Sequence, residues 1–102
     1  MGTHRTFRHE PEYAKACDDL IAENERYRDV IAGLEWSIAQ DPHAFPLASE
    51  EDTGVADMRV APSDPIGGVD PLSLYYTIDG PHTGTFWWLR KVNLTEFLNG
   101  LF

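Results

Sequence analysis

The chain has one cysteine, few basic residues and no long apolar run, and each shortage excludes a class of protein. With Cys17 alone, no disulfide can form within the chain, which is typical of a reducing compartment. No stretch approaches the roughly 20 apolar residues that a membrane-spanning helix needs. The segment 1–10 also lacks the apolar run of a signal peptide. We therefore expect a cytoplasmic protein without a membrane anchor.

Acidic residues outnumber basic ones by 17 to 8, and the formal net charge is −9. Such a chain is repelled by phosphate backbones at long range, so nonspecific nucleic-acid binding is disfavoured. A net charge is a sum, however, and a local basic face can persist within it. Arg59, Arg90 and Lys91 fall in predicted strands, whereas the acids cluster at 10–35 and 50–70.

The segment Pro71–Val92 carries the clearest pattern in the sequence and predicts a β-hairpin. In its first half, apolar side chains alternate with Ser73, Tyr75 and Thr77, as expected of a strand with one buried face. Its second half is apolar on both faces, so the pattern does not decide which face is buried. The pair Asp79-Gly80 between the halves predicts a tight reversal.

The remaining pattern predicts a single α+β domain over 1–102. Its elements are a strand at Thr3–Arg8, helices at Pro11–Asn24 and Glu25–Gln40, a loop at Pro42–Val55, a strand at Ala56–Ala61, the hairpin, and a short C-terminal helix through Leu94 and Leu101. The second helix ends at Asp41-Pro42, because proline restricts the residue before it. We expect a small antiparallel sheet (strand order β-α-α-β-β-β), with the helical hairpin packed on one face and the other face partly open.

Metal and cofactor sites are not expected. His4, His9, His43 and His82 lack the spacing of a zinc site. Cys17 falls on the apolar stripe of the first helix beside acidic residues, which favours a packing role over a nucleophilic one.

A combination of cations, a phenol and an imidazole remains as candidate chemistry. Its members are Arg59, Tyr75 or Tyr76, His82, Arg90 and Lys91, with Trp87 and Trp88 as aromatic faces that could stack bases. Cleaving an RNA phosphodiester without a metal needs cations for the developing phosphorane charge and groups that move protons. The alternative is that Tyr76, Phe86 and Trp88 belong to the core, and that Arg90 and Lys91 end an edge strand and protect it from aggregation.

Several segments together resemble the RelE/ParE superfamily, the toxin halves of bacterial type II toxin–antitoxin pairs. They are Ala39-Gln-Asp-Pro42, Met58-Arg-Val60, Leu72-Ser-Leu-Tyr-Tyr-Thr-Ile-Asp79 and Thr85-Phe-Trp-Trp-Leu-Arg-Lys-Val92. The resemblance implies an antitoxin partner, and a sheet whose open face docks in a ribosome and cuts messenger RNA or, in ParE-like members, engages DNA gyrase. By position it implies that Arg59, Arg90 and Lys91 match basic residues of the family and that Tyr76 matches a strand tyrosine.

Two functions follow as hypotheses. In a metal-independent, ribosome-dependent endoribonuclease, the three cations would stabilise phosphate charge, and Tyr75, His82 or His43 would move protons. The alternative is a non-catalytic protein-interaction module on the same fold, because Ser73 and Phe97 stand where nuclease members often have an arginine and a catalytic tyrosine. The exposed aromatic hairpin would also suit a homodimer.

Overall fold

The computed structural model describes residues 6–63 and 69–92. Its elements, in chain order, are β1 (Thr6–His9), α1 (Pro11–Glu23), α2 (Tyr27–Gln40), α3 (Glu50–Thr53), β2 (Arg59–Pro62), β3 (Leu72–Gly80) and β4 (Thr83–Lys91). Within this part of the chain, the strands form one sheet in the order β1-β4-β3-β2, with α1 and α2 on one face. The predicted α+β class with a helical hairpin is confirmed.

The sheet is mixed, and this corrects the expectation of a wholly antiparallel one. Strands β2, β3 and β4 form an antiparallel meander, whereas β1 lies parallel to β4, with Phe7 opposite Gly84. A strand of four residues carries no local signal of its direction. The direction of β1 is set by its pairing with β4, a strand that comes much later in the sequence.

The two long helices begin and end close to their predicted bounds. Pro11 occupies the first turn of α1, where its missing N–H costs nothing. After α1, the Asn24 side-chain oxygen accepts a hydrogen bond of 3.0 Å from the Arg26 N–H, a local turn that separates the helices. Helix α2 ends at Gln40, immediately before Asp41-Pro42, as predicted. The loop after it contains the short helix α3, which the sequence pattern did not indicate.

The core lies between the helices and one face of the sheet. Its buried members are Tyr13, Leu20, Tyr27, Val30, Ile31, Leu34 and Ile38 from the helices, and Ala61, Leu72, Leu74, Tyr76, Phe86 and Leu89 from the strands. The alternation predicted for the first half of the hairpin is confirmed, because Leu72, Leu74 and Tyr76 are fully buried. We call this the covered face and the opposite one the open face.

The hairpin reverses at Pro81-His82 rather than at Asp79-Gly80. Gly80 pairs with Thr83, so the two residues between them form the turn. Proline is favoured at the first central position of a common turn, which Pro81 occupies, because its ring fixes φ near the value that this position requires. Gly80 does not adopt a left-handed backbone here, so its conformational freedom is not what makes the turn.

Some predictions fall outside the described residues. They are the C-terminal helix through Leu94 and Leu101, Phe97, and His4 with the start of the predicted first strand. Among the helices of the described ranges, none has the length and apolar character needed to cross a membrane.

Candidate functional site

A β-bulge in β4 decides which aromatic side chains face outward. Tyr75 pairs with Trp88 while Tyr76 pairs with Phe86, so Trp87 is an extra residue in β4. A bulge of this kind interrupts the strict alternation of side chains along a strand. Phe86 and Leu89 consequently both enter the core, and Trp87 and Trp88 both remain partly exposed.

Tyr75, Trp87, Trp88 and Arg90 form a group on the open face, which we call the aromatic cluster. The rings of Tyr75 and Trp88 meet edge to face, with their centroids 6.0 Å apart. The Arg90 guanidinium carbon lies 5.2 Å from the Tyr75 ring centroid and 5.1 Å from that of Trp88. Both distances suit a cation–π contact. The cluster therefore presents broad apolar faces next to a positive charge.

A small hydrogen-bond network holds Trp87 in the aromatic cluster. The indole N–H of Trp87 donates to the Thr77 hydroxyl at 2.8 Å, and that hydroxyl donates to Asp79 at 2.9 Å. The second carboxylate oxygen of Asp79 accepts a hydrogen bond from the Thr85 hydroxyl. Thr77 and Thr85 are cross-strand partners, so the network spans β3 and β4. It fixes the indole orientation, and no local pattern in the sequence indicates it.

A groove runs beside the aromatic cluster at the start of α1. It has a volume of about 470 Å³ and is lined by Glu10, Pro11, Glu12, Trp87 and Trp88. The sequence does not reveal this site, because more than 70 positions separate Glu12 from Trp87. The nearest signal in the sequence is Pro11 between two glutamates at a helix start.

The predicted cations do not come together. Lys91 pairs with Leu72 across the strands and therefore shares the covered face. Its Nζ lies 2.7 Å from Glu23 Oε1 and 3.8 Å from Asp70 Oδ2. Lys91 was expected on the open face, and this prediction is wrong. Its ammonium group forms ion pairs with Glu23 and Asp70 on the side of the helices.

Arg59 also lies on the side of the helices. It pairs with the buried Tyr76, and its guanidinium donates a 2.6 Å hydrogen bond to the Phe45 carbonyl oxygen. A second, longer bond of 3.5 Å reaches the carbonyl oxygen of His43. Arg59 therefore ties β2 to the loop after α2, and of the three predicted cations Arg90 alone belongs to the aromatic cluster.

Of the predicted proton-transfer residues, Tyr75 belongs to the aromatic cluster and His82 does not. His82 is exposed in the hairpin turn, where its backbone oxygen accepts a hydrogen bond from the Thr6 N–H. At about 3.3 Å per residue, His82 and Arg90 lie roughly 25 Å apart along β4. These two residues cannot act on one phosphate, and the catalytic roles assigned from the sequence stay predictions.

Tyr76, matched by the resemblance to a family tyrosine, is a structural residue here. Its hydroxyl donates to the Pro42 carbonyl oxygen inside the core. Burial raises its pKa to about 12, although the charge of Arg59 acts in the opposite direction. A phenol with this pKa stays protonated at neutral pH and ties β3 to the end of α2.

A second polar cluster lies where β1 and the two long helices meet. The Tyr13 hydroxyl donates to Glu35 Oε2 at 2.7 Å, and His9 Nε2 lies 3.7 Å from the same oxygen. Burial, with a smaller contribution from Glu35, raises the pKa of Tyr13 far above its ordinary value. Burial also raises the pKa of the Cys17 thiol, which agrees with a packing role for this cysteine.

No family model, curated protein or solved structure matches this chain. The resemblance to the RelE/ParE superfamily therefore rests on the segments 39–42, 58–60, 72–79 and 85–92 of the sequence alone. Among the described residues, no three histidine, cysteine or acidic side chains are grouped so that they could hold a metal ion.

Proposed function

We propose that this chain is a protein-interaction module and that the aromatic cluster is its binding surface. The observation that carries the proposal is the placement of Tyr75, Trp87, Trp88 and Arg90 together on the open face. Tryptophan, tyrosine and arginine are the residue types that most often dominate binding energy at protein interfaces. The partner in this proposal is a segment of another protein, which covers the exposed rings.

Charge favours a protein partner over a nucleic acid. The net charge is −9, and two of the three cations predicted to meet phosphate are engaged on the side of the helices. A phosphate backbone would meet Arg90 but neither Lys91 nor Arg59. The resemblance to the RelE/ParE superfamily implies that this partner is an antitoxin. The single cysteine of the chain, Cys17, agrees with a complex in the cytoplasm.

The proposal is tested by measuring partner affinity for Trp88→Ala beside a matched tryptophan variant. The partner used is the product of a short reading frame next to the gene for this chain, with calorimetry as the readout. Trp36 is the control, because it is 65% exposed on α2, away from the open face. We expect Trp88→Ala to weaken binding about 30-fold, the loss of a residue worth roughly 2 kcal/mol, and Trp36→Ala to leave the affinity unchanged.

Equal effects of the two tryptophan variants would overturn this assignment of the surface. Light scattering of the isolated chain at two concentrations distinguishes a homodimer. If the wild type dimerises and Trp88→Ala does not, a second copy of the chain occupies the open face. No binding of any neighbouring gene product to the wild type would contradict the antitoxin version.

A ribosome-dependent endoribonuclease is the second candidate function. The observation that favours it is Arg90 above Tyr75 and Trp88, since aromatic faces that stack bases beside a guanidinium are typical of single-strand binders. Cleavage of ribosome-bound messenger by the wild type and by Arg90→Ala tests it. We expect cleavage to fall by at least about 100-fold in the variant if Arg90 stabilises the transition state. Equal cleavage would remove Arg90 from the mechanism.

A further inference from the structure

We infer that the groove between the aromatic cluster and the start of α1 receives a lysine or arginine side chain from the partner protein. This inference rests on the proposed function and adds the chemistry of the partner. Two tryptophans and Pro11 provide the apolar lining of the groove, and Glu10 and Glu12 provide its charge. An apolar stem with a cationic end matches that combination.

The two indoles suit a cation because their faces carry negative electrostatic potential. The bulge places Trp87 and Trp88 on the same side of the sheet, and the hydrogen bond to Thr77 holds the first of them. Trp88 already carries one guanidinium, that of Arg90, at 5.1 Å from its centroid. The chain itself therefore shows that this aromatic surface accommodates a cationic side chain.

The two glutamates decide the sign of the charge that the groove prefers. Among the described residues, neither Glu10 nor Glu12 has an ion-pair partner, in contrast to Glu23 and Glu25, which pair with Lys91 and Arg28. Two full negative charges exceed the roughly half positive charge at the start of α1. The charged residues that line the groove are Glu10 and Glu12, and Arg90 is not among the lining residues.

The long-range field of the protein acts in the same direction. A net charge of −9 attracts a basic segment and repels an acidic one before contact. An uncharged apolar side chain would fill the groove but would cover the two carboxylates without compensating them. A basic side chain meets both demands, since its stem contacts the indoles and its charged end reaches the carboxylates.

The test follows the indole N–H signals of the 15N-labelled chain by NMR during titration with small probes. The probes are the N-acetyl methylamides of lysine, arginine and norleucine, of which the last has a similar stem without the charge. We expect the lysine and arginine probes to shift the signals of Trp87 and Trp88, while the signal of Trp36 stays in place. Norleucine should bind at least about fivefold more weakly, because it lacks the cation.

A matched pair of double variants tests the role of charge. Glu10→Gln with Glu12→Gln should weaken lysine binding about fivefold or more. Glu50→Gln with Glu51→Gln removes the same net charge from the exposed helix α3 and should change binding less than about twofold. Equal effects of the two double variants, or equal binding of lysine and norleucine, would overturn the inference.

The outcome is separable from that of the proposed function. Trp88→Ala could abolish partner binding while the cationic probes leave the Trp87 and Trp88 signals unmoved. That result would support the aromatic cluster as the interaction surface and would contradict the inference that the groove binds a basic side chain. If the probes bind as expected and no partner protein does, the groove is a cation site and the proposed function is wrong. If tetramethylammonium binds clearly more tightly than both amino-acid probes, the inference is wrong, and the ligand of the groove is a free quaternary amine rather than a side chain of a partner protein.

Discussion

Arg90 and Lys91 are neighbours in the sequence and lie on opposite faces of the sheet. Lys91 forms ion pairs with Glu23 and Asp70, so the covered side compensates its charge. Arg90 stands over two aromatic rings, and no carboxylate of the described residues pairs with it. The difference shows that residue type alone does not assign a role. On the covered face a cation stabilises the fold, and on the open face it is available to a partner.

The largest difference between the faces is expected for the adjacent residues Leu74 and Tyr75. Leu74 is fully buried on the covered face, so Leu74→Ala should lower the free energy of unfolding by about 3 kcal/mol through the cavity that it leaves. Tyr75→Ala on the open face should lower it by less than about 1 kcal/mol. Urea unfolding of both variants measures the difference. Equal losses would mean that the open face is also part of the core.

Close packing on the covered face is expected to give the second largest effect. A Cβ atom at Gly84 would lie within 3 Å of both the Phe7 ring and the Thr77 carbonyl oxygen. Gly84→Ala should therefore destabilise the chain by about 2 kcal/mol. Gly33 on α2 is the control, since nothing lies within 4 Å of its added Cβ. Gly33→Ala should stabilise the helix by roughly 0.5–1 kcal/mol in the same unfolding experiment.

Alkaline pH is expected to weaken the covered face gradually. The pKa of Tyr76 rises from 10.0 to about 12 on folding, and that of Tyr13 also rises. Between these values the unfolded chain has lost a proton that the folded chain retains. Stability should therefore fall above pH 10, by about 1.4 kcal/mol per pH unit for each such tyrosine.

Tyr76→Phe provides the control for the alkaline effect. The variant loses the hydrogen bond to Pro42 and should be less stable than the wild type below pH 10. Above pH 10 its stability should fall less steeply with pH, because it lacks one of the two tyrosines whose pKa rises on folding. Urea unfolding between pH 8 and pH 11 measures both slopes. An unchanged slope would show that Tyr76 does not titrate with unfolding.

The smallest effects concern the two neighbouring cations themselves. Lys91→Ala should lower the urea midpoint slightly, and the loss should shrink in high salt because the ion pairs of Lys91 are exposed. Arg90→Ala should hardly change the midpoint but should weaken partner binding. The reverse result, with Arg90 contributing to stability and Lys91 to binding, would exchange the roles assigned to the two faces.

Local periodicity explains what could be predicted. The alternation from Leu72 to Tyr76 correctly identified the buried face of β3, and the helical spacing around Val30 and Leu34 identified the packed face of α2. Asp41-Pro42 correctly marked the end of α2, because proline acts on its immediate neighbour. The predicted turn lies two residues before the observed one, because both Asp79-Gly80 and Pro81-His82 contain residue types that are common in turns.

The candidate site was less predictable because its geometry depends on distant pairings. Trp87 and Trp88 face the same side through a bulge that exists only where β3 pairs with β4. Glu10 joins these tryptophans because β1 lies along β4, where the Glu10 N–H donates to the Phe86 carbonyl oxygen. Neither the bulge nor the pairing of β1 with β4 can be predicted from a window of a few residues.

By itself, the sequence determined the α+β class, the two helices, the covered face of β3 and the acidic character of the chain. Each of these depends on the spacing or sum of side chains and needs no knowledge of distant partners. The tertiary structure alone decided that β1 runs parallel to β4, that the two tryptophans share the open face, and that Arg59 and Lys91 are engaged by the side of the helices. Strand register and the burial of charge follow from hydrogen bonds and contacts between residues far apart in the chain.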